Sequence, residues 1–166
     1  SLCHTILDYL KNNPALYQQL NYCIIEKSPA MRKKERKYLP DKVSWHHSIQ
    51  DIRGITGCIL CNELVDNFSV HQVIMEDELM EVFVDYNADF TEILKPAKQS
   101  LKDYFTELNV NLPKGFRTEI NLEATEWIKE ISQSLKKGYL LTIDYGFHSS
   151  QLYQSFRSEG TLLCYH

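Results

Sequence analysis

Three short apolar runs in this chain end abruptly in polar side chains, and helix-patterned segments separate them. The runs are Leu20–Ile25, Cys58–Cys61 and Tyr139–Ile143, followed by Glu26, by Asn62 and Glu63, and by Asp144. Runs that are apolar on both faces are typical of buried strands in a parallel sheet. Their alternation with helices predicts an α/β fold with a parallel, doubly wound sheet whose strands share one carboxyl edge. Ligands bind at that edge, so the polar residues there are candidates for a site.

The central run is followed by the strongest candidates for chemistry. Asn62 offers an amide, Glu63 offers a carboxylate, and Asp66 follows within one helical turn. The alternative is that these residues cap the next helix, and spacing alone does not separate the two roles. The convergence of three polar strand ends favours the ligand role.

Length, charge and cysteine content exclude several classes of protein. The chain has 166 residues, enough for one domain with a core, and a formal net charge of -4 argues against a dedicated nucleic-acid binder. No apolar run is long enough to span a bilayer, so we expect no membrane insertion. The five cysteines predict buried, reduced thiols. Cys58 and Cys61 are not expected to share a metal, because strand positions three apart face opposite sides.

The remaining pattern predicts an insertion beside the main sheet. In chain order we expect a hairpin of Val70–Met75 and Leu79–Tyr86, a mostly helical Asn87–Leu112, a strand at Phe116–Asn121, a helix at Leu122–Lys137 that Gly138 ends, a short helix at Ser149–Phe156 and an extended Thr161–Tyr165. Earlier in the chain, Ser28 and Pro29 predict a helix start.

Glu26 and Trp45 suggest a nucleotide pocket. A carboxylate at the end of a strand, as at Glu26, can accept hydrogen bonds from both hydroxyls of a ribose. Trp45 ends the short strand Asp41–Trp45 and can line an adenine pocket or belong to the core, and both interpretations stay open. Of the adjacent His46 and His47, one is expected to be packed and one exposed.

Longer motifs resemble one family, the MidA-like S-adenosylmethionine-dependent methyltransferases, which include a mitochondrial complex I assembly factor that methylates protein arginine. Asn62–Asp66 with Ser69 and Val70 is similar to the family's Asn-Glu-x-x-Asp-Ala-x-Pro-Val, with Asn67 and Ser69 where Ala and Pro are common. Glu26–Pro29 with Arg32 is similar to its Glu-x-Ser-Pro-x-Leu-Arg. The remaining matches are Gly138–Phe147 with its Asp-Tyr-Gly, Gln151–Tyr153, Arg157, Gly160–Leu162, Tyr165 and His166.

The resemblance implies a fold and a set of site residues. The fold is a Rossmann-like class I methyltransferase domain over residues 1–166, with the hairpin and helical insertion at 70–121. The cofactor is S-adenosyl-L-methionine, bound by Glu26, Lys27, Ser28, Trp45, His46 and Asn62. Catalysis is assigned to Asn62, Glu63 and Asp66, acceptor binding to Asp144 and Tyr145, and no metal is implied.

The resemblance also carries expectations about biology. The acceptor is a protein arginine on a respiratory-complex-type partner, in the cytoplasm of a bacterium or the mitochondrial matrix of a eukaryote, and a homodimer is left open. The alternatives are a non-catalytic assembly factor, a small-molecule methyltransferase and a dinucleotide-binding module. The family's glycine-rich loop and central first strand precede the helix that begins this sequence. We therefore expect a partial domain, inactive on its own.

Overall fold

The computed structural model describes residues 2–163. The chain divides into two compact units. The first comprises the described parts of residues 1–57 and 130–138, and the second comprises the described parts of residues 58–129 and 139–166. Backbone hydrogen bonds join the eight strands of the described chain into three sheets. None of the helices formed by residues 2–163 is long and apolar enough to cross a membrane.

The first unit is built around a small parallel sheet. Its elements are α1 (Leu2–Leu10), α2 (Pro14–Gln19), β1 (Tyr22–Ile25), α3 (Pro29–Glu35), β2 (Val43–His46) and a 3-10 turn at Ile49–Asp51. β1 and β2 pair in parallel, with Ile24 opposite Trp45. Cys3, Leu7 and Val43 form the buried centre.

The helix α2 is absent from the sequence prediction, which placed a strand from residue 20 onward. Asn13 caps α2, because its side-chain oxygen accepts from the Leu16 N–H at 3.2 Å, and Pro14 occupies the first helical position. The predicted start of α3 is confirmed, since Ser28 Oγ accepts from the Met31 N–H at 3.3 Å.

An antiparallel sheet dominates the second unit. Its strands are β4 (His71–Met75), β5 (Leu79–Asn87), β6 (Asp89–Pro96) and β7 (Arg117–Ile120), in the order β6-β5-β4-β7. The helix α4 (Gln99–Glu107) contributes Leu101 and Phe105 to a core that also holds Val73, Phe116 and Ile120.

The prediction that residues 87–112 are mostly helical is wrong, because residues 87–96 form the turn and strand of a hairpin and the helix α4 covers only Gln99–Glu107. Phe90, Thr91 and Ile93 belong to the strand β6, which pairs with β5 along its whole length. The chain reverses at Ala88, whose φ of 68° lies in the left-handed region. Aromatic and β-branched residues favour the extended state, and this outweighed the helical pattern that resumes at α4.

Two further strands, β3 (Ile55–Asn62) and β8 (Leu135–Ile143), pair with each other. A Cβ on Gly138 would collide with the carbonyl oxygen of Gly57, so the two glycines lie opposite each other, and Gly138 has φ 141°. Further along, the Glu63 N–H donates to the Ile143 carbonyl at 2.9 Å. The strands therefore run in the same direction. The predicted helix end at Gly138 is wrong, because α5 (Leu122–Ser134) stops four residues earlier and Gly138 lies inside β8.

The prediction that the three apolar runs form strands buried on both faces is also wrong. β1 holds no buried residue, and β3 and β8 are largely exposed. Tyr139 is 79% exposed and Leu141 and Ile143 are each 50% exposed, while Cys61 is the one buried residue of β3. Their apolar faces are uncovered within residues 2–163. The central strand expected from the resemblance stays a prediction.

The segment after β8 closes the free edge of β7. A short helix α6 (Ser149–Leu152) and a 3-10 turn at Ser155–Arg157 lead back to the sheet, where the Arg117 N–H donates to the Ser158 carbonyl at 2.8 Å. Thr161 then donates its N–H and its hydroxyl to Glu119 Oε2, at 2.8 and 2.9 Å. The predicted motif residues Tyr165 and His166 lie outside the described residues.

Candidate active site

The strand β3 ends in a sharp bend at Glu63. Its φ of 46° is in the left-handed region, which costs free energy for any residue with a Cβ. The bend turns the chain into a 3-10 turn at Val65–Asn67 and leaves the side chains of Asn62 and Glu63 exposed. Non-glycine residues in such a conformation cluster at functional sites.

Asp144, at the end of β8, holds this turn in place. Its Oδ2 accepts from the Val65 N–H at 2.9 Å and from the Asp66 N–H at 3.4 Å, and its Oδ1 accepts from the Tyr145 N–H at 2.9 Å. The carboxylate therefore acts as a cap supplied by a different strand, satisfying backbone donors that the turn itself leaves unpaired.

Asp66 and Tyr145 are joined directly. Tyr145 Oη donates to Asp66 Oδ2 at 2.6 Å, while Asp66 Oδ1 accepts from Asn67 Nδ2 at 2.8 Å. The hydrogen bond to Asp66 raises the pKa of Tyr145 to about 12, and the charges of Asp66, Glu63 and Asp144 act in the same direction. The phenol therefore stays protonated throughout the neutral pH range.

Glu63 is the carboxylate of this group whose side chain has no hydrogen-bond or ion-pair partner within residues 2–163. Asp66 and Asp144 each have at least one oxygen occupied, whereas both oxygens of Glu63 can accept. Three carboxylates around one exposed phenol create a negative potential that favours a cationic ligand.

Two asparagines that the sequence analysis did not select support the same turn. Asn67 Nδ2 also donates to the Glu63 carbonyl at 2.9 Å, and Asn121 Nδ2 donates to the Val65 carbonyl at 3.3 Å. Asn67 had a signal in the sequence, because it departs from the alanine common in the family motif. Asn121 had none, since its role follows from a contact 56 residues away in the chain.

In the first unit, Glu26 lies where the sequence placed it, directly after β1. Its N–H donates to the His46 carbonyl at 3.1 Å, and its Oε1 accepts from the Ser28 N–H at 2.7 Å. The second carboxylate oxygen has no partner among the described side chains and backbone groups. Glu26 thus has an acceptor free for hydroxyl donors, which fits a ribose.

The other predicted cofactor residues divide into supporting and accessible groups. Ser28 caps α3, and Lys27 is exposed. Trp45 is half-buried, packs against the core of the first unit and has the Arg36 guanidinium 5.7 Å from its ring centroid. Trp45 therefore belongs in part to the core, and its role in an adenine pocket stays a prediction. His46 Nε2 lies 3.3 Å from Ser44 Oγ.

Asp51 is a further ordered carboxylate of the first unit that the sequence analysis missed. Its Oδ2 accepts from the N–H groups of His47 and Ser48 at 2.9 and 3.0 Å, and these bonds hold its pKa below the usual range. The spacing Ser48-x-x-Asp51 is a capping-box signature, so the signal was present in the sequence.

The cysteines of β3 behave as the strand geometry requires. Cys61 is buried and Cys58 is exposed, so their thiols do not converge. Burial raises the pKa of the Cys61 thiol. Within residues 2–163, no three His, Cys, Asp or Glu side chains are arranged to hold a metal ion. The prediction of buried thiols fails for Cys23 and Cys58, which are exposed.

Comparisons with known proteins bear on the whole chain. The model of a family described as "Putative S-adenosyl-L-methionine-dependent methyltransferase" matches residues 1–166. A comparison with curated proteins found no sequence match.

Two solved structures from Burkholderia thailandensis share the fold. A crystal structure with S-adenosyl-homocysteine bound superposes with a TM-score of 0.76 at 23% identity, over 94% of this chain and 42% of that one. A native crystal structure of an uncharacterized protein of the COG1565 superfamily, to which the first structure also belongs, superposes with a TM-score of 0.77 at 23% identity, over 94% of this chain and 44% of that one. This chain therefore spans less than half the length of either, and it shares their Rossmann-like methyltransferase fold.

Proposed function

This chain belongs to the S-adenosyl-L-methionine-dependent methyltransferase family whose model matches residues 1–166, and from that premise we propose that the protein methylates an arginine side chain of a protein. The single observation that supports this acceptor is the carboxylate group around Tyr145. A guanidinium is cationic at any working pH, and its fork of N–H donors suits carboxylate oxygens in bidentate geometry.

The residues of the first unit fit the nucleoside part of the cofactor. Glu26 has an oxygen available for ribose hydroxyls, and the half-exposed ring of Trp45 offers an apolar surface for a base. S-adenosylmethionine, when bound, supplies a methyl group on a positively charged sulfur. We assign Glu26, Lys27, Ser28, Trp45 and His46 to cofactor binding, with Ser28 acting through the α3 cap.

The second unit would hold the acceptor. Glu63 accepts from two guanidinium N–H groups, and this orients the nitrogen that is to receive the methyl group. Asp66 and Tyr145 line the acceptor site in a fixed arrangement, because their hydrogen bond restrains both side chains. Asp144 holds the turn at Val65–Asn67 through the Val65 N–H. Asn62, the neighbour of Glu63 in the sequence, is assigned to catalysis and to cofactor binding. The protein's contribution is thus positioning and charge.

The respiratory-complex partner and the cellular compartment stay predictions that rest on the resemblance. The non-catalytic assembly factor and the small-molecule methyltransferase are the outcomes against which the proposal is tested.

The test measures methyl transfer from labelled cofactor to a pool of arginine-containing peptides by the full-length protein. Matched peptides carry lysine in place of arginine. We expect label on the arginine peptides, a loss of at least about tenfold with Glu63→Gln, and little change with the control Glu107→Gln. Cofactor affinity should be retained in Glu63→Gln. Equal labelling of lysine peptides, or an unchanged rate in Glu63→Gln, would contradict the proposal.

A further inference from the structure

The strand β6 is an unprotected edge. All eight of its residues, Asp89–Pro96, are exposed, and its outer side pairs with no other strand among residues 2–163. Phe90 is 80% exposed, Leu94 41% and Ile93 37%. Exposed apolar edge strands pair readily with other chains, and proteins usually guard them with charge, proline or a bulge. Here the one proline, Pro96, stands at the end of the strand.

The backbone of β6 presents a regular row of hydrogen-bonding groups outward. The Ala97 N–H donates to the Leu79 carbonyl at 2.9 Å, which fixes the alternation of the strand. Residues 91, 93 and 95 therefore point their backbone groups toward β5, and Phe90, Glu92 and Leu94 point theirs away from the sheet. Three N–H and three carbonyl groups are thus available along this edge.

The central charge of the edge is already compensated. Both oxygens of Glu92 accept from Arg117, at 2.7 Å each, in a bidentate pair. This bond holds the pKa of Glu92 below its usual range. A neutralised carboxylate does not repel a second strand as a free one would.

We propose that β6 pairs antiparallel with β6 of a second copy of this chain, joining two four-stranded sheets into one of eight strands. A two-fold axis at Glu92 places the outward backbone groups of the two strands opposite one another. Phe90 then faces the partner's Leu94 on one side of the sheet. Asp89 faces the partner's Lys95 on the other side. Each of these contacts occurs twice by symmetry.

Charge complementarity favours a second copy over a foreign strand. A shift of two residues in either direction removes both Asp89–Lys95 pairs, so the sequence of β6 matches itself in one register. The rings of Tyr86 and Phe90, 5.3 Å apart between centroids, extend the apolar side of the interface along the hairpin. This inference does not depend on the proposed activity, because no residue of the candidate active site takes part.

The test is a set of charge exchanges followed by sedimentation velocity of the full-length protein. The wild type should be dimeric at a protein concentration of about 100 µM. Asp89→Lys or Lys95→Asp alone places like charges opposite each other and should weaken the dimer at least about tenfold. The double variant Asp89→Lys with Lys95→Asp should restore it.

The exposed pair of Asp77 and Lys114, 2.7 Å apart, provides the matched control. Asp77→Lys and Lys114→Asp change the same charges away from β6 and should leave the dimer intact. Amide exchange gives a second readout, with slow exchange at Phe90, Glu92 and Leu94 in the dimer. A monomeric wild type would overturn the proposal, and so would a dimer whose affinity is unchanged by Asp89→Lys and by Lys95→Asp.

Discussion

The hydroxyl of Tyr145 donates a hydrogen bond to Asp66 Oδ2 at 2.6 Å, across 79 residues of sequence. This contact joins the loop after β3 to the loop after β8. It forms even though both side chains are exposed. The short distance is that of a charge-assisted bond, in which the acceptor is ionised.

The ionisation of Tyr145 should report this bond. The pKa of the phenol is raised from 10.0 to about 12, chiefly by the hydrogen bond to Asp66. Because the folded-state pKa is the higher one, the stabilisation is complete below pH 10.0 and is lost as pH rises through about 12. Tyrosinate absorbance of the wild type minus that of Tyr145→Phe should show one group ionising near pH 12. Ionisation near the ordinary value would contradict the contact.

Glu63 should lower the stability of the fold through its strained backbone, while its carboxylate is needed for methyl transfer. Its φ of 46° is strained for a residue with a Cβ but ordinary for glycine. Glu63→Gly is therefore expected to raise the free energy of unfolding by about 0.5–1 kcal/mol while abolishing methyl transfer. Urea unfolding and the peptide assay measure the two effects. A Glu63→Ala control loses the carboxylate but keeps the strain, so it should not be stabilised.

Asp144 should act as a positioning residue. Removal of its carboxylate in Asp144→Ala leaves the Val65 and Asp66 N–H groups without a cap, at a cost of about 1 kcal/mol. Asp144→Asn keeps an oxygen that can accept, so it should recover most of the stability. Equal unfolding midpoints for wild type and Asp144→Ala would show that the cap contributes nothing.

Gly160 should be intolerant of a side chain. Its φ of 83° is in the left-handed region, and a Cβ there would collide with the Glu119 carboxylate that binds Thr161. We expect Gly160→Ala to lower the free energy of unfolding by at least about 1 kcal/mol. Gly115→Ala is the matched control, because Gly115 has φ 81° but open space around it, so the difference between the variants isolates the collision.

The sequence predicted local features well where one residue type has one physical role. Ser28 capping α3 and the acid after β1 are set by neighbours in the chain, and both are confirmed in position. The acid's role with the cofactor stays a proposal. β6 was missed, because its alternation is brief and a helical pattern follows directly. The helix end at Gly138 failed, because the glycine serves a close approach to Gly57, which no local pattern reveals.

In the candidate site, too, the sequence predicts local features but not contacts between distant segments. Asn62, Glu63 and Asp66 could be selected from one stretch of sequence. The use of Asp144 as a cap depends on the pairing of β3 with β8, and the sequence of neither strand predicts that pairing. Strand burial was predicted from apolar content alone, whereas exposure depends on what covers the strand.

Calorimetric titration of S-adenosylhomocysteine into the full-length protein tests whether the end of β1 forms a cofactor pocket. We expect binding on the order of micromolar affinity, weakened at least about tenfold by Glu26→Ala and unchanged by the control Glu107→Ala. Folding of each variant is checked by its unfolding midpoint. No binding by a well-folded wild type, or equal binding by Glu26→Ala, would contradict a cofactor pocket at the end of β1.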